Sequence, residues 1–349
     1  MRVVQWNVRR FSDACGVSQV AAVAERLVRL NPSFVALNEV DLSLRPNALE
    51  ELSEALGMHY AFFGHAREGA YGNALLARTP IDATHRVELD GGTVVTHRGN
   101  PHRINRGLLS CETRWHGRPL RVAVTHLDHM CESQRALQAT SVVRSLGTFA
   151  QGPTLLLGDL NALTRRDYSA FEWAAHAEHN EAQGWAPPRD GAQSGGSLST
   201  LFEAGFRDTV AEVLAGPTDV EGGVEGRVAG GVAGGVEGGV EGGVEGDVEG
   251  GVEGGVEEGA APMQWSSPPW TLISNGPRYR IDFVLLRSTA ASSVKPETSR
   301  PDGETRGAVG GEAEEECWLE PRAARVEMDS ECPSDHAPVV VDFRTALSS

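Results

Sequence analysis

An acid and an amide follow the most strand-like stretch of this sequence. Residues 154–157 are apolar enough to form a buried strand, and Gly158 then frees the chain so that Asp159 and Asn161 lie just past its end. Side chains two apart point to the same side if the extended geometry persists. The carboxylate could take a proton from water while the amide donates to an oxyanion, which predicts a hydrolytic site. The alternative is an Asx-rich turn that closes a strand.

Other polar residues occupy similar positions elsewhere in the chain. Asn7 ends the apolar stretch 2–6, Glu39 follows the stretch 34–37, and His126 follows the stretch 120–125. Asp282 lies inside an otherwise apolar stretch, where an acid is costly unless it is paired. The structural alternative for Asp282 is a buried bond to a backbone group. Polar groups at several strand ends are typical of a site built along one edge of a sheet.

The elements between these residues indicate a mixed sheet. Apolar spacing predicts helices over 17–30, 46–56, 131–146, 169–180 and 197–204. Strands are predicted over 59–64 and 73–77, and residues 107–113 and 120–125 form a predicted hairpin. A strand pair is also predicted over 87–96, with its break at residues 90–92. Consecutive strands near hairpins favour a mixed or antiparallel sheet over a doubly wound parallel one.

The 349 residues carry a formal net charge of −17, and two segments hold nearly all of it. Segment 216–260 has a net charge of −10 and segment 300–331 of −6, which leaves −1 for the rest of the chain. The acidity therefore does not exclude a phosphate-bearing substrate. Valine recurs every fourth residue among Gly and Glu over 220–256, a pattern that can bury no core. We predict a disordered acidic insertion over 216–261 and a polar insertion over 288–320.

The cysteines and the termini bear on the compartment. Five scattered cysteines form no Cys-x-x-Cys pair, which argues against a disulfide framework or a zinc cluster and favours a reducing compartment. The sequence shows neither a leader pattern nor a long apolar stretch. We expect a monomeric intracellular protein, cytoplasmic or nuclear, with no membrane partner.

Six short motifs follow one another along the chain. They are Trp6-Asn7, Asn38-Glu39-Val40, Thr125-His126-Leu127, Gly158-Asp159-Leu160-Asn161, Ile281-Asp282-Phe283 and Ser334-Asp335-His336-Ala337-Pro338. In this order the motifs resemble those of the endonuclease/exonuclease/phosphatase superfamily, although Asn38-Glu39 replaces the more frequent Gln-Glu and keeps the acid. The resemblance spans nearly the whole chain and implies an α+β fold of deoxyribonuclease type, in which two packed mixed β-sheets are flanked by helices. It also implies one domain over 1–349, interrupted by the two insertions.

The resemblance also implies roles for individual residues. Glu39 resembles the family's Mg²⁺ ligand, helped by Asn7 and, through water, by Asp335; Mn²⁺ is the alternative ion. Asp159 would activate the attacking water, and Asn161 would hold this water or a phosphate oxygen. The other implied catalytic residues are two histidines that contact the scissile phosphate, His126 and His336, and an acid that fixes the tautomer of His336, Asp282.

Several further residues are candidates for substrate or metal contacts. Asn73 lies in a segment that lines the cleft of many relatives, and Arg103 and Arg106 are candidate phosphate clamps or merely exposed arginines. A second metal site at Asp128, His129 and Glu132 is the weaker interpretation of that segment. His176 and His179 lack the zincin spacing and are expected at the surface.

Together these observations predict a Mg²⁺-dependent phosphodiesterase that acts on nucleic acid, DNA or RNA, or on a nucleic-acid adduct. The short loops and the segment Thr125-His126-Leu127-Asp128-His129 are most similar to those of the tyrosyl-DNA phosphodiesterase and small deoxyribonuclease-like branches. Two alternatives remain open: a phosphatase or phospholipase-type diesterase of small phosphorylated substrates, and a non-catalytic binding module on the same fold. No long basic stripe interleaved with aromatic residues marks a nucleic-acid surface.

Overall fold

The computed structural model describes residues 1–90, 95–97, 100–102, 104–215, 280–288, 318–327 and 332–345. The predicted acidic insertion over 216–261 lies outside these residues, as does most of the polar insertion over 288–320. The end of the second insertion is structured, because residues 319–320 already belong to a strand.

The described residues form fourteen strands and six α-helices, numbered in chain order. The strands are β1 (Arg2–Asn7), β2 (Phe34–Asp41), β3 (His59–Ala66), β4 (Tyr71–Ala77), β5 (Ile81–Glu88), β6 (Val95–His97), β7 (Asn100–His102), β8 (Gly107–Trp115), β9 (Arg118–His126), β10 (Thr154–Asp159), β11 (Arg207–Asp208), β12 (Asp282–Arg287), β13 (Leu319–Val326) and β14 (Val339–Thr345). The helices are α1 (Val20–Leu30), α2 (Ala48–Leu56), α3 (Glu132–Leu146), α4 (Ala170–Gln183), α5 (Ser197–Glu203) and α6 (Thr209–Ala215).

Twelve of these strands form two six-stranded sheets with matching arrangements. The first sheet has the order β13-β14-β1-β2-β4-β3, and the second has the order β11-β12-β10-β9-β8-β5. Each contains one parallel pair, β1 with β2 and β9 with β10, and its other neighbours are antiparallel. Helix α1 connects the first parallel pair and α3 connects the second, as a parallel connection requires. The predicted mixed sheets are confirmed.

The core consists of three apolar layers. The first fills the space between the two sheets and includes Val3 and Leu75 from one sheet and Val124 and Leu157 from the other. The second packs α1 and α2 on the outer face of the first sheet, and the third packs α3 and α5 on the outer face of the second. The result is a helix–sheet–sheet–helix sandwich, the predicted architecture.

Two local predictions are wrong. The strand pair expected over 87–96 does not form, because β5 pairs with β8 while β6 pairs with β7. His176, expected at the surface, is fully buried on α4 with its ring 4.5 Å from that of Tyr168, whereas His179 is half-buried. The face of α4 on which each histidine lies decides how exposed it is, and the spacing between the two histidines does not predict this exposure.

In the described part of the chain, no helix combines the length and apolar character needed to cross a membrane.

Candidate active site

The ends of the two parallel strand pairs meet at one edge of the sandwich. In the first sheet Asn7 pairs with Asn38 at the carboxyl ends of β1 and β2, and in the second His126 pairs with Asp159 at the carboxyl ends of β9 and β10. Strands β1 and β2 pack against β10 and β9 across the interior. The carboxyl ends of parallel strands lie at the same edge of a sheet, so four polar residues from distant segments of the chain come together there.

The glycine before Asp159 has a different role from the predicted one. Gly158 lies within β10, and Asp159 is the last residue of that strand, so the glycine does not release the chain. A Cβ added at Gly158 would lie 2.0 Å from the carbonyl oxygen of Thr125 on β9. Only glycine permits this close approach, which sets the register that places Asp159 beside His126.

A bulge in β2 turns Glu39 toward the cleft. The pairing of β2 with β4 passes from Leu37 opposite Ala74 to Val40 opposite Gly72, so two residues face one. Glu39 has a left-handed φ of 58°, which is uncommon for a glutamate, and its half-buried side chain lines the cleft. Such bulges re-aim side chains beside active sites.

Asn7 connects the two acids of the site. Its Nδ2 donates to Oε1 of Glu39 at 3.1 Å and to Oδ2 of Asp159 at 3.0 Å. Its Oδ1 accepts the backbone N–H of Arg9 at 3.0 Å, which fixes the orientation of the amide. One amide therefore sets the position of the candidate metal ligand relative to that of the candidate general base.

Asn38 holds the two sheets together behind the site, a role that sequence reasoning missed. Its Oδ1 accepts from Nε2 of Gln5 at 2.6 Å and from the backbone N–H of Asp159 at 2.8 Å. Its Nδ2 donates to Oδ1 of Asn73 at 2.9 Å and to the carbonyl of Thr125 at 3.0 Å. A fully buried amide with four partners is a rigid support. The only sequence signal for it was an amide beside Glu39.

Asn73 belongs to this support and does not line the cleft. Its side chain is fully buried, and its Nδ2 donates to the carbonyl of Gly107 at 2.8 Å while its Oδ1 holds Asn38. The predicted substrate contact is therefore corrected to a positioning role, because the bonds to Asn38 and Gly107 direct both polar atoms of the amide into the protein.

Asp159 faces two histidines. Its Oδ2 lies 3.6 Å from Nε2 of His126 and 3.8 Å from Nε2 of His336. On the far side of His336, Nδ1 lies 2.9 Å from Oδ2 of Asp282, where its N–H donates. Asp282 is opposite Asp159 in the β10–β12 register and is buried, so the acid in the apolar strand is paired, as its cost requires.

The electrostatics of the cluster separate the protonation states of its members. Burial and the nearby Asp282 carboxylate raise the pKa of Asp159 to about 7. Burial alone would lower the pKa of His336, but the charge and hydrogen bond of Asp282 raise it to about 10, so His336 is a cation. Burial and the charge of Arg106 hold the pKa of His126 well below its usual value, so His126 is neutral. The two histidines therefore offer different groups to a substrate.

The segment before β14 places His336. The indole Nε1 of Trp6 donates to the carbonyl of His336 at 2.8 Å, and Oγ of Ser334 donates to the carbonyl of Asn7 at 2.7 Å. Asp335 points elsewhere: its carboxylate lies 3.4 Å from Nε of Arg9, and it does not line the cleft. Its water-mediated metal role stays a prediction.

Arg106 and His129 also line the cleft. Arg106 is 5% exposed, its Nη2 lies 3.3 Å from Nδ1 of His129, and its buried Nε has no hydrogen-bond partner. No carboxylate in the described part of the chain pairs with Arg106, so its charge is available to an anion in the cleft. Arg103 lies outside the described residues.

The weaker metal interpretation of the segment after β9 is not supported. Oδ1 of Asp128 accepts the backbone N–H groups of Met130 and Cys131 at 2.7 and 3.0 Å, as in an Asx turn. Glu132 binds Nε of Arg135 at 2.7 Å and the backbone N–H of Ser197 at 2.6 Å. Both acids are used to hold the loop and α5.

The cleft has a volume of about 510 Å³ and contains residues that sequence reasoning missed or only touched upon. Arg67 lies over the ring of Tyr71 at 5.2 Å and binds the buried Asp41 at 2.5 Å.

Behind the cleft, the buried Arg280 binds Asp208 at 2.6 Å and Asp167 at 3.0 Å, which fixes the chain two residues before Asp282. The sequence signal for this cluster was the presence of Arg280 two residues before Asp282, at the start of an otherwise apolar stretch. The lining residues that sequence reasoning missed are Ala66, Arg67, Ile104 and Asn105, and Ile281 was named only as part of a motif.

Asn161 lines the cleft beside Asp159, although not by the predicted alternation. Its φ of 50° is left-handed, which asparagine tolerates, so the strand geometry does not persist. Its backbone N–H donates to Oδ1 of Asp159 at 3.0 Å, and its Nδ2 donates to the carbonyl of Leu127 at 3.1 Å. Its Oδ1 has no hydrogen bond with any described residue.

The donor chemistry can be tested against a divalent ion at two places. Asp159, Asp282 and His336 offer atoms within 4.8 Å of one another, but the His336 Nδ1–H donates to Asp282, and a cationic imidazole is no ligand. Glu39 offers a carboxylate with one oxygen held by Asn7, and the amide oxygen of Asn7 keeps one lone pair besides its bond to Arg9. Oxygen donors from one carboxylate and one amide fit Mg²⁺ with retained waters.

Comparisons with known proteins agree with this architecture. The structure is similar to that of an endonuclease/exonuclease/phosphatase from Beutenbergia cavernae DSM 12333, at 18% identity and a TM-score of 0.54, over 99% of this chain and 71% of that chain. It is also similar to D. rerio TDP2 complexed with single strand DNA product, at 15% identity and a TM-score of 0.52, over 99% of both chains. The human Nocturnin catalytic domain with bound sulfate anion is similar at 17% identity and a TM-score of 0.50, over 99% of this chain and 94% of that chain. No curated protein matches the sequence.

The sequence itself matches the model of the Endonuclease/Exonuclease/phosphatase family over residues 4–336. The chain belongs to this family, whose members are typically hydrolases of phosphoester bonds and usually use divalent metals. The suspected family and the deoxyribonuclease-like fold are thus confirmed.

Proposed function

We propose that this protein is a divalent-metal-dependent phosphodiesterase that hydrolyses nucleic acid or a nucleic-acid adduct by attack of water on phosphorus. The observation that carries this proposal is the position of Asp159. It shares the Asn7 amide with Glu39 on one side and faces His126 and His336 on the other. A general base between a metal ligand and two phosphate-contacting groups is the arrangement that diester hydrolysis needs.

Glu39 and Asn7 would hold the ion, which we propose to be Mg²⁺, with Mn²⁺ as the alternative. When bound, such an ion polarises a phosphoryl oxygen and stabilises the added negative charge. The bulge that presents Glu39 and the hydrogen bond from Asn7 keep the carboxylate in one orientation before any ion arrives. Preformed ligands reduce the reorganisation that binding requires.

Asp159 would accept the proton of the attacking water. Its pKa of about 7 places it near neutrality, where a general base is both unprotonated and basic enough to act. The hydrogen bonds from the Asn7 side chain and the Asn161 backbone hold its two oxygens. Asn161 also lines the cleft beside this carboxylate and would bind the water or a phosphate oxygen.

The opposite side of the site would stabilise charge on the phosphate. His336 carries a proton on Nε2 because Asp282 holds its Nδ1 side, so it would donate to a phosphoryl oxygen. His126 is neutral and offers a weaker donor next to it. Arg106, which has no carboxylate partner among the described residues, would bind another phosphoryl oxygen.

Two features support nucleic acid over a small substrate. Tyr71, Arg67, His129 and Arg106 all line the cleft, so aromatic and cationic groups flank the reacting centre. A structural neighbour, D. rerio TDP2, was solved with a single strand DNA product. A cleft of this kind suits a polyanionic strand that carries bases.

The test is Mg²⁺-dependent hydrolysis by the purified protein against single-stranded, duplex and 5′-tyrosyl DNA, RNA, sphingomyelin and inositol phosphates. We expect activity on a nucleic-acid substrate that is lost in His336→Ala and retained in the matched variant His59→Ala, whose exposed residue begins β3. Activity confined to inositol phosphates or sphingomyelin would contradict the nucleic-acid assignment. No activity and no stabilisation by Mg²⁺ would support a binding module instead.

A further inference from the structure

A glutamine lies inside the sandwich directly behind the candidate active site. Side chains alternate along β1, so Val3, Gln5 and Asn7 face the second sheet, while Val4 and Trp6 pack toward the helices. Gln5 is fully buried. An amide removed from water in this way is costly unless its polar atoms find partners inside the protein.

The amide nitrogen of Gln5 binds two residues behind the cleft. Its Nε2 donates to Oδ1 of Asn38 at 2.6 Å and to Oδ1 of Asp282 at 3.3 Å. These two acceptors determine the orientation of the amide, since the opposite orientation would turn its oxygen toward two other oxygens. The amide oxygen, Oε1, is buried and has no hydrogen-bond partner among the described residues.

Gln5 completes a series of hydrogen bonds from Asp159 to His336. The backbone N–H of Asp159 donates at 2.8 Å to the same Asn38 oxygen that accepts from Gln5. Asp282 accepts from Gln5 on one carboxylate oxygen and from Nδ1 of His336 on the other, the latter at 2.9 Å. The candidate base and the histidine that faces it at 3.8 Å are therefore also connected from behind.

The stability of the fold alone does not account for an amide at this position. Other residues of the layer between the sheets, such as Val3 and Leu157, are apolar. The unsatisfied Oε1 of Gln5 is destabilising, because a buried acceptor loses its bonds to water and gains none in return. We therefore interpret Gln5 as a donor that serves Asp282 and Asn38.

We propose that Gln5 is a positioning residue for hydrolysis, which holds the Asp282 carboxylate so that His336 stays aligned with Asp159. The inference rests on the proposed function, because it deepens the account of the same site. Gln5 does not line the cleft, so it acts through Asp282 and not on the substrate. Because Gln5 belongs to the first sheet and Asp282 to the second, the bond also fixes one sheet against the other at the reacting centre.

The kinetic test uses Gln5→Met, which keeps a similar volume and removes the donor. The variant should fold, since Asn38 keeps its bond from Asp159 and Asp282 keeps its bond from His336. On the best nucleic-acid substrate, we expect kcat to fall about tenfold while KM changes less than about twofold, because a small displacement of a reacting group lowers the rate steeply. A kcat within twofold of the wild type would overturn the inference.

Two further variants keep this test decisive. Gln134→Met on α3 is the matched control, because Gln134 is a buried glutamine whose Oε1 also has no partner among the described residues; kcat should not change. Gln5→Asn keeps an amide but is one methylene shorter, so it cannot join Asn38 to Asp282, and it should lose as much activity as Gln5→Met. A wild-type kcat in Gln5→Asn would show that the bond to Asp282 is not needed.

A double-mutant cycle shows whether Gln5 acts through Asp282. In the Asp282→Asn background, adding Gln5→Met is expected to lower kcat less than about twofold, since the carboxylate that Gln5 holds is already gone. A further tenfold loss in this background would overturn the inference, because Gln5 would then act on the fold or on Asn38 alone.

Proton NMR tests the same link without metal or hydrolysis. The proton on Nδ1 of His336 should give a low-field signal, identified by its absence in His336→Gln, because it is held in a charge-assisted hydrogen bond to Asp282. In Gln5→Met we expect this signal to move upfield and broaden, and in Gln134→Met to stay unchanged. An unchanged signal in Gln5→Met would overturn the inference. An inactive wild type whose signal responds to Gln5→Met would overturn the proposed function instead.

Discussion

The two parallel strand units of this protein share a backbone plan and differ in chemistry. The first unit is β1–α1–β2, and the second is β9–α3–β10. At equivalent ends of the parallel pairs, the first has Asn7 opposite Asn38 and the second has His126 opposite Asp159. The first unit places amides at this position, which hold and orient their neighbours, and the second places titratable groups there. The same fold position therefore serves two purposes according to the side chain placed there.

The neighbours of the two units repeat this division. Strand β14, beside β1, follows His336, and β12, beside β10, begins with Asp282. These two residues meet in a hydrogen bond across the interior, so each unit brings half of a pair that neither completes alone. The candidate site therefore depends on the packing of one sheet on the other, and the first three tests below remove groups from one or both sides of that interface.

The largest effect is expected from Asp159→Asn in the second unit. We expect kcat to fall by about 10³-fold or more, because the amide cannot accept a proton from water. The fold should persist, since a buried acid with a raised pKa is replaced by a neutral group of the same shape. The measurement is kcat on the best substrate together with thermal unfolding. Activity near that of the wild type would remove Asp159 from the mechanism.

The corresponding change in the first unit is Glu39→Gln. We expect kcat/KM to fall by about 10²-fold and the stabilisation of the protein by Mg²⁺ to disappear, since a carboxylate ligand is lost. The matched control is Glu68→Gln, an exposed glutamate with a similar left-handed φ of 57° that does not line the cleft. Thermal shifts over a Mg²⁺ titration measure the effect. A retained Mg²⁺ response in Glu39→Gln would place the ion elsewhere.

A double-mutant cycle tests the pair that joins the neighbours of the two units. Asp282→Asn and His336→Gln are each expected to lower kcat by about 10²-fold, and the double variant by little more than either, because the two residues act as one unit. The four kcat values give the coupling. Additive losses would show that Asp282 serves the fold and does not orient His336.

Outside both units, His176 on α4 should make the protein sensitive to acid. Burial lowers its pKa from 6.5 to about 4, so between these values the unfolded chain binds more protons than the folded chain. The free energy of unfolding therefore falls as the pH decreases through this window, by at most about 3 kcal/mol. We expect the Tm of His176→Phe to change less between pH 7 and pH 4.5 than that of the wild type, with His179→Phe as control. Parallel pH profiles for all three proteins would contradict the assignment.

The smallest effect is expected from deleting residues 216–260. Helix α6, which ends at residue 215, packs against β12, which follows the segment, and the deletion leaves residues 261–279 as a connection between them. We expect kcat/KM within about twofold of the wild type. Loss of folding on this deletion would contradict the proposal that the acidic segment is an insertion into one domain.

The sequence by itself determined the family, the mixed sheets and most residues of the candidate site. Six motifs at strand ends were sufficient because a strand end has few ways to direct its side chain, and the parallel pairs bring those ends to one edge. Asn7, Glu39, His126, Asp159, Asn161, Asp282 and His336 were all named from sequence, and the structure brings them together within one cluster.

Only the tertiary structure decided which polar residues face the cleft and which support it. Asn73 resembled a substrate contact, but the packing of the two sheets buries it against Asn38. His176 was expected at the surface from its sequence, but the packing of α4 against the rest of the protein buries it fully. The bulge at Glu39 leaves no mark in a one-dimensional pattern. The physical reason is that burial and charge pairing depend on residues far apart in the chain, whereas strand ends and turns are set by near neighbours.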